Sequence, residues 1–113
     1  MTKEIRNQLL TIDDRVFYGR GEFEDSDTWN CIIFGRRKMQ IGSMDQTKTF
    51  FVAIVRENEM EEGVELKVIE AMKKIGLRLP SSSSIDYSYV QRAADTVVEI
   101  ATMELAKVEK GCG

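Results

Sequence analysis

Four acidic side chains, Glu22, Glu24, Asp25 and Asp27, crowd one short stretch and raise the first chemical possibility, a calcium loop. Such a loop needs oxygen ligands at alternate positions, a glycine at the sixth and a bidentate glutamate at the twelfth. Counted from Asp25, the fifth position is Trp29, the sixth Asn30 and the twelfth Arg36, so the spacing fails and the stretch reads as a solvated loop. Gly19-Arg20-Gly21 offers two glycines of a dinucleotide fingerprint. It lacks the third glycine and the following helix whose N-terminus would hold a pyrophosphate. The chain contains no histidine, which removes the commonest general acid–base group, the usual hydrolytic triads and the commonest metal ligand together. Cys31, inside an apolar run, and Cys112, between glycines, are too few and too unpatterned for a disulfide framework or a structural zinc site. Cys31 reads as a buried thiol. No catalytic, cofactor-binding or metal-ligating residue is therefore expected, and the chain reads as a non-enzyme that works through its surfaces.

The residues suited to surface chemistry are of two kinds. Arg36, Arg37 and Lys38 are consecutive. Alternate residues of a strand share a face, so Arg36 and Lys38 together make an electrostatic docking patch at a solvated strand end. Phe50, Val52 and Ile54 alternate with Phe51, Ala53 and Val55. A strand apolar on both faces is covered on both sides, one by the domain's own helices and the other, on this reading, by a partner chain. The expected interaction residues are thus Arg36, Lys38, Phe50, Val52 and Ile54. Tyr87 and Tyr89 share a strand face and could stack on bases, but such a pair more simply belongs to a core or interface. Sixteen basic and nineteen acidic residues give a net charge of −3, and direct nucleic-acid binding, which usually rests on a basic excess, is not expected.

The elements that position these residues follow from periodicity. A helix is expected over residues 3–10, with Ile5, Leu9 and Ile12 along one face and Thr2 as cap. Strands are expected over 15–23, where Gly19 and Gly21 imply a bend, from Trp29 through Lys38, and over 49–57. Polar loops at 24–28 and 42–48 separate them. A second helix is expected over 59–75, capped by Asn58 with Glu61, its core stripe Val64, Val68, Ala71, Met72 and Ile75, and Gly76 as its stop. Pro80 and four serines make a loop. Residues 95–108 carry a helical stripe (Ala94, Val97, Val98, Ala101, Leu105, Val108) and also a β-branched run (Thr96, Val97, Val98, Ile100, Thr102). Periodicity alone slightly favours helix there, while three strands in need of a fourth partner favour strand.

The whole is expected to be one α+β domain over residues 1–113, with a mobile tail from about 109. It would hold a mostly antiparallel four-stranded sheet flanked by two helices, in the order helix, three strands, helix, strand. The mass of 12.9 kDa corresponds to about 6,300 Å² of folded surface against about 18,700 Å² for the extended chain, enough burial for a real core. No stretch approaches the ~20 apolar residues of a membrane span, and residues 1–10 do not read as a signal peptide, so a cytoplasmic place of synthesis and no membrane partner are expected.

This order of elements resembles the tail-terminator, or tail-completion, proteins of long-tailed bacteriophages and prophages. The likeness extends to the aspartate-turn-strand run at 13–19, the polar loop before Trp29, the strand at 49–58 that feeds an amphipathic helix directly, and the closing segment at 95–107 before a glycine-ended tail. The resemblance implies a structural subunit without enzymatic residues or cofactors. It implies a homo-oligomer, a hexameric ring that ends the tail tube and docks the head connector protein. The partners would be further copies of the chain, the tail tube protein and the head connector, and the location the virion tail, assembled in the bacterial host's cytoplasm. The alternatives weighed beside it are a head–tail connector or other morphogenesis protein, and a small non-catalytic ligand-binding or regulatory module.

Overall fold

A computed structural model of the chain describes residues 1–21 and 28–110. The acidic cluster at 22–27, Phe23 at the expected end of the first strand, and Cys112 with its flanking glycines lie outside the described residues. The elements run α1 (Thr2–Leu9), β1 (Val16–Tyr18), β2 (Cys31–Ile41), β3 (Asp45–Glu57), α2 (Val64–Lys73), β4 (Asp86–Ala93) and β5 (Thr96–Lys110). The strands form one sheet in the order β1-β2-β3-β5-β4. β1 runs parallel to β2, and every other pairing is antiparallel. The α+β class is as expected; the sheet has five strands instead of four and is mixed.

Both helices lie on one face. Ile5 and Leu9 of α1 and Val64, Val68, Ala71 and Met72 of α2 join Val16, Ile32, Phe34, Phe50, Val52, Ile54, Ala101, Met103 and Leu105 in one buried cluster. These strand residues are the alternate positions that the register places side by side, as in Ile32 opposite Ile54 and Ile54 opposite Ala101. Because side chains alternate across a strand, the intervening residues form a second face, which carries no helix among the described residues.

Each departure from the sequence expectation has a local cause. The first strand stops at Tyr18 because Gly19, at φ 85°, turns into the left-handed region as its N–H donates to the Phe34 carbonyl at 2.8 Å. α1 starts at Met1 without a side-chain cap; Thr2 is the first helical residue. α2 begins at Val64, after the glycine at φ 88°, five residues later than expected. Asn58 is no cap: it sits at φ 67° and its N–H donates to Val97 at 2.6 Å. Glu61 pairs with Arg56 instead of a free amide, and Met60 N–H donates to the Glu99 carboxylate at 3.0 Å. Side chains from the sheet thus hold residues that would otherwise have formed the first turn.

Gly76 ends α2 as expected. It lies at φ 84°, with its N–H donating to Lys73 and the next N–H, of Leu77, to Met72. Residues 96–110 are strand, since pairing with β3 along thirteen successive positions, from Asp45 opposite Lys110 to Glu57 opposite Val98, outweighs the helical stripe. β4 is absent from the expected order of elements, although Tyr87 and Tyr89 do share a strand face as expected. Seven of its eight residues are exposed, so no apolar alternation marks it in the sequence.

A candidate interaction surface

One end of the sheet is locked from within. Arg56 is 7% exposed although charged. Its Nε donates to Glu61 Oε1 and one Nη to Asp13 Oδ2, each at 2.8 Å, and the same Nη reaches the carbonyls of Val55 and Cys31 at 3.0 and 3.3 Å. Burial alone would lower the Arg56 pKa, but the hydrogen bonds and charges of Glu61 and Asp13 outweigh it and hold the guanidinium above its ordinary value. The side chain ties the turn after α1, the start of β2, the end of β3 and the approach to α2 into one knot. Beside it the Cys31 thiol is buried, and loss of solvation pushes it up to about 11. The thiolate that a nucleophile would need is therefore scarce near neutral pH.

Glu57 forms a second knot. It accepts the Trp29 N–H at 2.9 Å and pairs with Arg92, whose guanidinium lies 5.0 Å from the Trp29 ring centroid. Cys31, Val55 and Val98 are buried on this side of the sheet, packed against Phe17, Trp29, Ile33 and Ile100.

Away from this end the uncovered face is only half-buried. Phe51 and Ala53 are of intermediate exposure, and the Phe51 ring lies over Gly35, where an added Cβ would stand 2.6 Å from its Cε1. Arg37 stacks over the same ring at 5.0 Å and pairs with Glu104 at 3.0 Å. Beyond the helices, β2, β3 and β5 continue as a three-stranded ribbon, and the molecule extends 56 Å along its longest axis against 26 and 21 Å across. Met39, Ile41, Met44 and Val108 on this ribbon are 55, 76, 71 and 59% exposed. Met39 and Ile41 lie on the helix side of the ribbon and Val108 on the other, so the projection leaves large apolar groups in water on both its faces, which suits burial between neighbours.

The sequence-expected interaction residues divide on this fold. Phe50, Val52 and Ile54 are 3, 0 and 0% exposed and lie in the chain's own core beneath the helices. This corrects their assignment to a partner-facing side: the face of β3 that stays open is that of Phe51 and Ala53. Arg36 and Lys38 are both exposed but do not share a face. A bulge between them shifts the register, so that Arg36 stands opposite Phe50, on the helix side, and Lys38 opposite Thr49, on the open side. What sequence reasoning missed is the ribbon, because its apolar residues follow no long alternation, and the edge character of β2. β1 pairs only with Ile32, Ile33 and Phe34, so from 36 to 41 the outer backbone edge of β2 has no strand partner among the described residues.

Among the described residues there is no group of three or more His, Cys, Asp or Glu placed to hold a metal ion, and no helix long and apolar enough to cross a membrane. No protein-family model matches the chain, and no curated protein matches it in sequence.

Proposed function

We propose that this chain is a non-catalytic structural subunit of a long-tailed phage, forming a ring that terminates the tail tube and joins it to the head. The observation that carries the reading is the projecting ribbon, with its exposed Met39, Ile41, Met44 and Val108 and an outer edge of β2 that, among the described residues, has no strand partner from 36 to 41. A strand edge with open N–H and C=O groups templates pairing with another chain; the bulge and the cations at 36–38 blunt the inner part of this edge, and residues 39–41 are left without a strand partner among the described residues. A sheet with helices on one side only and an apolar extension suits a subunit whose stability and purpose are completed by neighbours. The order helix, three strands, helix, then strand, read from the sequence, supports the phage-tail assignment through its resemblance to tail terminators, and the structure keeps that order with one additional strand, β4, before the closing strand. In this role the partners are other copies of the chain, the tail tube protein and the head connector, in the virion tail.

The test is an elongation assay. Tube protein of the same phage polymerises in the presence of increasing amounts of this chain, and tube length is measured by negative-stain microscopy. A terminator arrests growth and caps one tube end with a ring. Tubes of unchanged length with bare ends contradict the proposal, and binding to the head connector alone reassigns the chain to the head side of the joint.

A further inference from the structure

The helix-covered side of the sheet carries two exposed charged surfaces of opposite sign, at opposite edges. At the β2 edge, Lys3 and Arg6 of α1 and Arg36 of β2 converge with Tyr18 around an open cleft of ≈ 510 Å³. Arg6 is held in place by its bond to the Val16 carbonyl at 3.2 Å and by the Phe34 ring, 5.4 Å from its guanidinium. Tyr18 stands edge-on to that ring at 5.3 Å and is 47% exposed. No carboxylate is paired with Lys3, Arg6 or Arg36 among the described residues.

At the other edge, β4 presents Tyr87 and Tyr89, 48 and 62% exposed. The Tyr87 hydroxyl donates to Glu65 Oε2 at 2.5 Å and the Tyr89 hydroxyl to Glu99 Oε2 at 2.8 Å. These bonds fix each partly exposed phenol beside a carboxylate, an arrangement that suits guanidinium and ammonium groups through charge and ring quadrupole together. The outer edge of β4 has no strand neighbour among the described residues.

We propose that these two surfaces are the two halves of one contact: the Lys3/Arg6/Arg36 cleft of one copy receives the Glu65/Glu99/Tyr87/Tyr89 surface of the next. The inference rests on the ring reading above and names the residues that would build it. Charge complementarity selects a second copy as occupant, because the chain itself supplies both signs. The sheet order puts them at opposite edges, and a heterologous contact joins two such different surfaces: each copy offers its cleft to one neighbour and its tyrosine surface to the other, without pairing the two internally. Like-sign surfaces would oppose a face-to-face, two-fold pairing of either half with itself.

The test is a charge-reversal exchange, read by sedimentation velocity over a concentration series at low salt. The variants Arg36→Glu and Glu65→Lys change exposed or half-exposed side chains outside the core, and unchanged thermal melts confirm their folding. Each reversal alone is expected to weaken self-association about tenfold or more, and an equimolar mixture of the two to recover most of it, since each altered surface then meets its complement. Wild-type assembly that neither reversal disturbs overturns this contact while leaving the ring reading standing. Self-association intact but tube-protein binding lost in Arg36→Glu assigns the cleft to the tube protein and overturns the self-contact. A wild type monomeric at every concentration, with no rings on tube ends, overturns both.

Discussion

Arg56 shows most directly how one residue organises this chain. It is buried at the junction of four segments, and its two carboxylate partners differ: the Asp13 side chain is 14% exposed and that of Glu61 57%. Replacing Arg56 by alanine strands Asp13 without its counter-charge and frees two backbone carbonyls, so a loss of about 3–5 kcal/mol is expected in denaturant unfolding. Glu61→Gln, at a largely exposed site, should cost under about 1 kcal/mol. Equal costs would mean that the knot is not centred on the arginine. Cys31 makes a second residue-scale prediction, with the sign fixed by linkage. Its pKa rises from 9.0 to about 11 on folding, so the folded state holds the thiol proton more tightly. That contribution to stability is complete below pH 9 and is lost as the pH rises toward 11. In a Cys112→Ser background, alkylation at pH 8 should be slow in the folded protein and fast in denaturant; equal rates would show that the thiol is not buried. The sequence made Cys31 legible because an apolar run buries a cysteine whichever face it takes. Arg56 was not legible, since a charged residue at a strand end usually faces water and its partners lie 43 and 5 positions away.

At the scale of elements, the legible parts were those whose pattern is local. The α2 stripe of Val64, Val68, Ala71 and Met72, the glycine stop at Gly76 and the doubly apolar part of β3 stand where periodicity put them, though β3 begins at Asp45, within the stretch at 42–48 expected to be a polar loop. What failed was whatever depended on distant partners. The first turn expected of α2 was taken over by Arg56 and Glu99, β4 is an exposed edge without apolar rhythm, and β5 kept both a helical and a strand pattern until β3 decided between them. Which face of β3 is free could not be read either, because Phe50/Val52/Ile54 and Phe51/Ala53/Val55 are equally apolar. Only the placement of the helices distinguishes them. The bulge after Arg36 likewise defeats an argument from strict alternation. Two substitutions probe this level. Leu105→Ala, in the core under the helices, should cost about 2–5 kcal/mol of stability, whereas Val108→Ser, on the same strand but exposed, should stay within about 0.5 kcal/mol while weakening self-association. Gly35→Ala sets its Cβ 2.6 Å from the Phe51 ring and should cost about 1–2 kcal/mol, most of it relieved in the Gly35→Ala/Phe51→Ala double variant; additive losses would show that the two positions do not meet.

For the whole molecule, shape is the informative quantity. The accessible surface is 7289 Å², against about 6,300 Å² expected for a folded monomer of this mass. The excess is what a molecule with a 56 Å axis and a projecting ribbon must expose. Ring formation would remove the apolar ribbon residues from water and cover strand edges that a solitary chain leaves open. The charged cleft and the tyrosine edge would set the direction in which copies follow one another, and added salt should weaken that directional part more than the apolar part. Assembly into rings is decided by solution mass from light scattering across a concentration series, with negative-stain images of the same samples. A ring-forming subunit shows a concentration-dependent rise from monomer to a closed oligomer of defined mass, seen as rings. A mass that stays at 12.9 kDa throughout, together with no ring on the end of a tail tube, would contradict ring assembly.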